Sequence, residues 1–389
     1  MNILQITKYF YPAISFGGPV QCTYYLSKYL VKRGHEVTVY ATDALDISTN
    51  ARIRERFMEI NGVKVFYFRN VAKSHGFFIS PEIIHALRQN LDEFDIVHLH
   101  EYRTFQNLAF YYSNRRSVPY VLSCHGEYTY KEEPWDYFLL RRLFNHTFGR
   151  KIVNSASKLI ALTQFEETQF LDAWIERDKI VVVPNGIAPE DFSDVPPSGS
   201  FRTSYGIGDE EIILYLGRIH KSKGIDTLVE AFSSLSEDRN GIRLVLAGPD
   251  DGFSGHLKNV VAKLHLKDKV LFTGPLSRKQ VLAAYNDATV VAYPSVQEGF
   301  PIVPLEACAM GKPVIVSRIQ SMAFIKKAEC GLEVEYGNEA ELREALDTLI
   351  MDQPFAKKLG QNGRIFVFKN FNWDIITKKI ENVYLKISE

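Results

Sequence analysis

Glu298-Gly-Phe-Pro-Ile-Val-Pro-Leu-Glu306 decides how this chain is read. Its two carboxylates stand eight residues apart, and Gly299, Pro301 and Pro304 between them break the chain out of the preceding strand. Ala307-Cys308-Ala309-Met310 then predicts the start of a helix. A strand, a glycine turn and a helix N-terminus form an anion site, because first-turn N–H groups point outward unpaired. Acids flanking such a site do not suit a bare phosphate. They suit a ligand with hydroxyls at both ends and phosphates in the middle, which describes a nucleotide-sugar. One acid would accept from the ribose and the other from the transferred sugar.

Outward from that stretch, short apolar runs alternate with amphipathic segments along the chain, the pattern of parallel βα units. In the second half the runs are Ile212–Leu216, Arg243–Ala247, Val270–Thr273, Thr289–Tyr293, Val314–Val316 and Leu332–Val334. Helical spacing separates them over Thr227–Leu235, Arg278–Ala284 and Glu339–Ile350. In the first half Ile3–Ile6, Glu36–Ala41, Val63–Phe68, Ile96–Leu99, Tyr120–Ser123, Lys158–Leu162 and Ile180–Val183 predict six or seven strands. Leu26, Tyr29 and Leu30 mark a helix over Val20–Arg33, stopped by Gly34. Between the halves, Ala188–Gly199 collects Pro189, Pro196, Pro197, Ser198 and Gly199 amid acids and predicts a linker. The fold class is α/β, with two Rossmann-like domains over residues 1–187 and 188–372. Ligands of open α/β sheets sit beyond the carboxyl ends of the strands, so two such domains facing each other would share one ligand cleft.

Composition supports two domains and excludes several function classes. The 389 residues exceed what one domain of about 100–200 residues holds. Hydrophobic content of 46% is ample for two cores. A net charge of zero gives no global signal for nucleic acid. Cys22, Cys124, Cys308 and Cys330 are scattered without metal-ligand spacing, which fits buried thiols in a reducing compartment. The N-terminus lacks a basic segment and a long apolar core, so a secretory signal is not expected. Nor is there an apolar run of about 18 residues. The expectation is a cytoplasmic protein, with peripheral contact at the inner membrane face left open.

Four further groups carry chemistry. Arg218 and Lys223 follow the strand Ile212–Leu216, and Gly217 and Gly224 permit close backbone approach. A planar fork and a point charge there can hold a diphosphate, although a basic loop can also be merely solvated. Lys221 is readily an exposed neighbour. His125-Gly126 follows the strand Tyr120–Ser123, where a histidine either packs or accepts from a sugar hydroxyl. His98 and His100 share the strand Ile96–Leu99 and its end. They lack a third or fourth metal ligand and are expected to be structural, with His100 a candidate for lining the cleft. Gly17-Gly18-Pro19 precedes a helix and suits close approach to phosphate or sugar, yet lacks the dinucleotide fingerprint. No D-x-D sits in a suitable loop, and Asp250-Asp251 within Gly248–Gly252 reads as turn chemistry. The run Tyr137–Lys151, with Arg141, Arg142, Arg150 and Lys151, is a domain helix with a basic edge or a helix lying on an anionic membrane. The small excess of positive charge in the first half points the same way.

Gly217-Arg218, Lys221 and Lys223-Gly224, the stretch from Glu298 through Glu306 to Val314-Ile315, and Pro184-Asn185-Gly186-Ile187 together resemble the motifs of retaining glycosyltransferases of family 4. The resemblance spans nearly the whole chain. It implies a GT-B fold, with an acceptor-binding N-terminal domain, a donor-binding C-terminal domain and a last helix, about 373–389, returning to the first. It implies that Glu306 holds the ribose, Glu298 and His125 meet the transferred sugar, and Arg218 and Lys223 take the diphosphate. Gly17, Gly18, Gly299, Phe300, Pro301 and Ile302 would line the donor. Pro301 stands where many relatives have glycine and cannot donate a hydrogen bond. The expected activity is retaining, metal-independent transfer from a UDP-sugar, or next GDP-mannose, to a hydroxyl of a glycan or lipid-linked acceptor. No cofactor is expected, since the nucleotide-sugar is a co-substrate. The rivals are a nucleotide-sugar epimerase or phosphorylase on the same scaffold, and a non-catalytic sugar-nucleotide-binding module. Oligomeric state is not encoded in any motif.

Overall fold

The structure is a computed structural model that describes residues 1–46, 49–74, 77–115, 117–126 and 142–388. The chain divides into two units, Met1–Gly186 with Trp373–Glu389, and Ile187–Asn372. The expected boundary after residue 187 therefore falls one residue earlier, and the last helix belongs to the first unit.

The first unit is built on an eight-stranded sheet. Its strands are β1 (Asn2–Ile6), β2 (Glu36–Thr42), β3 (Phe57–Ile60), β4 (Val63–Phe68), β7 (Ile96–His100), β8 (Tyr120–Ser123), β9 (Lys158–Ala161) and β10 (Ile180–Val182). They lie in the order β10-β9-β8-β7-β1-β2-β4-β3, and all neighbours are parallel except β3 with β4. Strands β1, β2, β7 and β8 are buried almost residue by residue, as helices on both faces of a parallel sheet require. The six or seven predicted strands are all present. The eighth, β3, is an edge strand joined to β4 through Asn61-Gly62, both at positive φ. A separate hairpin pairs β5 (Ala72–Ser74) with β6 (Phe77–Ile79).

The C-terminal helix Trp373–Ser388 packs on the helix Gly18–Lys32 within this unit. Glu381 accepts from Arg33 (2.6 Å) and meets His35 Nε2 (2.8 Å), while Trp373 stacks on Tyr25. The buried stripe Trp373, Ile376, Ile380, Val383 and Tyr384 follows helical spacing.

The second unit has six parallel strands: β11 (Glu211–Leu216), β12 (Ile242–Ala247), β13 (Val270–Gly274), β14 (Val290–Tyr293), β15 (Val314–Ser317) and β16 (Gly331–Val334). Their order is β13-β12-β11-β14-β15-β16. All six predicted strands form. The predicted linker 188–199 does not behave as one, because it is built into this unit. Ala188 and Phe192 are buried, and the Asp287 carboxylate accepts from the N–H groups of Gly199 (2.6 Å), Phe201 (2.9 Å) and Arg202 (3.1 Å). Pro189 opens an anchored 3₁₀ turn over Pro189–Phe192 rather than a tether.

In each sheet the winding reverses once, between β1 and β7 in the first unit and between β11 and β14 in the second. Chain segments leaving the carboxyl ends of those paired strands diverge to opposite faces and leave a crevice. Gly17 and Gly18 follow β1, His100 is the last residue of β7 and His125 follows the neighbouring β8, while in the other unit Arg218 and Lys223 follow β11 and Glu298 follows β14.

Candidate active site

In the second unit two strand ends carry no side chain of their own. Gly217 (φ 146°) and Gly248 (φ 140°) end β11 and β12, and a Cβ at Gly248 would lie 1.9 Å from the Gly217 carbonyl oxygen. Arg218 follows Gly217 and donates from Nη1 to Asp251 Oδ2 at 2.6 Å, with both side chains substantially exposed. The turn chemistry expected of Asp250 is present, since its carboxylate accepts from the N–H groups of Phe253 and Ser254. Asp251 does more, because it occupies the guanidinium expected to take the diphosphate.

Lys223 closes a 3₁₀ turn, Lys221–Lys223, that ends in Gly224 at φ 63°. A Cβ on Gly224 would sit 2.2 Å from the Pro294 carbonyl oxygen, so only glycine lets this turn lie against the segment after β14. That segment carries Glu298. Lys223 Nζ consequently donates to Glu298 Oε1 at 2.5 Å, and the Tyr293 hydroxyl donates to the same oxygen at 2.9 Å. Tyr293 stacks on Tyr215 with ring centroids 6.0 Å apart. Burial, reinforced by Glu298, pushes the Tyr293 hydroxyl well above the usual tyrosine range, so it stays a donor. Lys221 is exposed.

The helix expected from Ala307 begins earlier, spanning Ile302–Ala309 with Pro301 as N-cap. Pro304 does not break it, because in the first turn the missing N–H has no intrahelical partner to lose. Ile302 and Val303 thus supply the helix-end amides, and Glu306 lies in the second turn rather than at the start. Its Oε1 accepts from Arg278 Nη1 at 2.5 Å and its Oε2 from the Tyr285 hydroxyl at 3.2 Å. Arg278 opens the helix Arg278–Asp287, whose start is fixed by a capping box of Ser277 and Gln280. Its guanidinium also lies 5.1 Å from the Phe192 ring centroid. Phe300 is buried and packs against Phe324 and Phe371, so its ring supports the turn from below. Gly299 and Pro301 flank it.

In the first unit, His125 follows β8 at φ 53° and its Nε2 lies 3.0 Å from His100 Nδ1. His98 and His100 stack with centroids 4.2 Å apart. Their four ring nitrogens meet Tyr384, Ser123, His125 and Gln5, which leaves none for a metal ion. Burial lowers His98 to about 3 and holds His100 well below the usual histidine value, so both are neutral. His100 is thereby joined directly to His125. Gly17 (φ 80°) is the N-cap of the helix Gly18–Lys32, and a Cβ on it would meet nothing within 4 Å. Beside β7, the buried Lys8 and Glu101 pair at 2.9 Å.

Comparison with known proteins agrees with this layout. The family described as Glycosyltransferase Family 4 matches residues 16–191, and Glycosyl transferases group 1 matches residues 199–366. An uncharacterized glycosyltransferase of Methanocaldococcus jannaschii is 30% identical over 99% of this chain and 98% of its own. The chain belongs to glycosyltransferase family 4. A D-inositol 3-phosphate glycosyltransferase of Kineococcus radiotolerans is 30% identical over 61% of this chain and 57% of its own. Among solved structures, Anabaena HepE in complex with UDP and glucose aligns with TM-score 0.78 and 19% identity, covering 99% of this chain and 100% of HepE. A sucrose-phosphate synthase from Thermosynechococcus elongatus aligns with TM-score 0.76 and 21% identity, covering 99% and 98%. The shared fold is that of the GT-B glycosyltransferases.

Within this family 4 glycosyltransferase, the expected donor residues form two clusters in the second unit. One is Arg218–Asp251 beside Lys223–Glu298–Tyr293, and the other is Glu306–Arg278–Tyr285. Tyr293, five residues before Glu298, reads in sequence only as part of its strand, and Asp251, Arg278 and Tyr285 are not legible as site residues, since each pairs across more than 20 residues. Gln5 and Tyr384 escaped for the same reason. Tyr137–Arg141 of the basic run lie outside the described residues. In its remainder Arg142, Leu143, Phe148, Arg150 and Lys151 are exposed while Phe144 is buried. Among the described residues no helix is long and apolar enough to cross a membrane.

Proposed function

We propose that this glycosyltransferase moves a sugar, with retention of configuration, from a UDP-sugar to an acceptor hydroxyl. The observation that carries the proposal is the arrangement at the second switch point. There a cation–carboxylate pair, Lys223 and Glu298, joins the segments that follow β11 and β14, near Arg218, with Glu306 held separately by Arg278 and Tyr285. The diphosphate would draw Arg218 from Asp251 and bind Lys223 and the amides of Ile302 and Val303. Glu306 would accept from the ribose hydroxyls, and Glu298 and His125 from the transferred sugar. Gly17, Gly18, Gly299, Phe300 and Pro301 would shape the remaining wall. HepE, solved with UDP-glucose, supports the choice of UDP over GDP as the first donor to test.

With Arg218, Lys223 and helix-end amides stabilising the leaving diphosphate, transfer is expected to need no metal. Among the described residues no carboxylate is placed as a nucleophile, which favours front-face attack: the acceptor oxygen bonds to the anomeric carbon as the bond to the diphosphate breaks, and a phosphate oxygen takes the acceptor proton. The acceptor side would be the first unit. A cavity of about 130 Å³ there, lined by Asp43, Arg52, Asn70 and Lys73 among others, offers groups suited to glycan hydroxyls. We place the reaction in glycan or lipid-linked glycoconjugate assembly. Exposed Leu143 and Phe148 among Arg142, Arg150 and Lys151 support peripheral contact with an anionic membrane. Unchanged co-sedimentation with anionic vesicles after Arg150→Glu with Lys151→Glu would remove that contact.

The decisive experiment is transfer from UDP-sugars in excess EDTA, with the product anomer read by NMR. Retention with full activity is expected. Inversion, or loss of activity rescued by one divalent ion, would overturn the mechanism.

A further inference from the structure

Tyr215 and Tyr293 stand near the carboxyl ends of the neighbouring strands β11 and β14, with ring centroids 6.0 Å apart and planes 7° from parallel. Both rings pack against Gly217, where a Cβ would lie 3.0 Å from the Tyr215 hydroxyl and 3.5 Å from the Tyr293 ring. Both side chains are buried, and a buried phenol needs a hydrogen-bond partner. The two find different ones. The Tyr215 hydroxyl donates to the Arg218 carbonyl oxygen at 2.8 Å, and the Tyr293 hydroxyl donates to Glu298 Oε1 at 2.9 Å.

Chemistry fixes the direction of each bond, because a carbonyl or carboxylate oxygen only accepts and an ammonium only donates. Lys223 Nζ is 3.3 Å from the Tyr293 oxygen and 2.5 Å from Glu298 Oε1. The phenol therefore accepts from the lysine and gives its own proton to the glutamate. Burial, reinforced by Glu298, raises both hydroxyls well above the usual tyrosine range, so both remain donors. The two donors to Glu298 share Oε1, and among the described residues Oε2 has no donor. If a diphosphate takes Lys223, Tyr293 becomes the donor left on Oε1 of a side chain only 13% exposed. Tyr215 serves Arg218 instead. The guanidinium tip is held by Asp251, which a diphosphate would displace, whereas the Arg218 carbonyl stays held by Tyr215 and by the His220 N–H at 3.0 Å.

We infer that the stacked tyrosines are positioning residues for opposite ends of the donor. Tyr293 holds Glu298 for the transferred sugar once Lys223 has turned to the diphosphate, and Tyr215 holds the Arg218 backbone for the diphosphate itself. The division between sugar and diphosphate rests on the function proposed above, whereas the coupling of Tyr293 to Glu298 does not.

Phenylalanine keeps each ring and removes only its hydroxyl, so the two variants can be compared directly. In calorimetry Tyr215→Phe should weaken UDP about fivefold, the size of one hydrogen bond, while Tyr293→Phe stays within about twofold of wild type. Turnover is read as UDP release from UDP-glucose, UDP-galactose or UDP-N-acetylglucosamine, whichever the wild-type enzyme consumes. At saturation Tyr293→Phe should lower kcat about tenfold, as expected for a lost hydrogen bond to a charged group, and Tyr215→Phe should leave it within about twofold. General loosening of the fold would not produce this crossed pattern, and parallel losses of affinity and kcat in both variants overturn the inference. Urea melts of the ligand-free protein test the coupling separately. Tyr293→Phe combined with Glu298→Ala should destabilise less than the sum of the two alone, and strict additivity overturns the coupling whatever the activity. A wild-type protein that neither binds UDP nor consumes any of these donors would defeat the proposed function and the two donor roles, and the melts would still decide whether Tyr293 holds Glu298.

Discussion

Lys223 Nζ lies 2.5 Å from Glu298 Oε1, and the two side chains are only 10% and 13% exposed. A cation chosen for a diphosphate and an acid chosen for a sugar are thus each other's counterion before any ligand arrives. Removing one leaves the other nearly buried and uncompensated, which costs about 3 kcal/mol in comparable pairs. Lys223→Ala should therefore destabilise the protein by that order in urea melts. The double variant Lys223→Met with Glu298→Leu should recover much of the loss while remaining inactive. A double variant less stable than Lys223→Ala would show that the pair is not the source of the effect.

Arg218 is held by Asp251 at 2.6 Å on an exposed edge, so a diphosphate has to displace a carboxylate. Arg218→Ala should weaken UDP binding by about 1.5–3 kcal/mol, the range for charged hydrogen bonds. Asp251→Asn should do the reverse and tighten UDP severalfold, because the guanidinium no longer has an anionic competitor. Calorimetry at constant salt separates the two. Equal weakening by both substitutions would mean that Asp251 orients Arg218 instead of competing for it.

Glu306 is already oriented by Arg278 and Tyr285, one on each oxygen. Glu306→Gln should weaken UDP while leaving pyrophosphate binding close to wild type, since its assigned partners are ribose hydroxyls. Arg278→Ala should give the same selective loss without touching the ligand. An equal loss for UDP and pyrophosphate would place Glu306 near the phosphates.

The fold was legible because parallel strands covered on both faces are near-continuous apolar runs, and all thirteen such runs form strands. The edge strand Phe57–Ile60 was missed because only alternate residues are partly covered, although Asn61-Gly62 is a hairpin signal. The helix start at Ile302 was missed because Pro301 and Pro304 look like breakers, when proline is tolerated in a first helical turn. Charged partners were least legible. Glu298 and Glu306 stand out through their shared motif, but nothing near Glu306 in sequence points to Arg278, and nothing near His125 points to Gln5 or Tyr384.

Acid sensitivity follows from the same buried histidines. His98 is lowered to about 3 and His100 also lies well below its ordinary 6.5, both because burial penalises the charged ring. In the unfolded chain they titrate near the ordinary value, so below about pH 6.5 the unfolded state binds protons that the folded state refuses. Stability contributed by the neutral rings is fully present above that pH and falls as pH drops toward the folded values. Each ring adds a slope approaching about 1.4 kcal/mol per pH unit below pH 6, in a range where most carboxylates remain ionised. Urea melts at pH 7.0 and 5.5 should therefore show a marked loss for the wild-type protein. His98→Gln, which cannot be protonated, should be less stable at pH 7.0 but lose less between the two pH values. If the two proteins lose the same stability over that interval, His98 is not held neutral in the folded state.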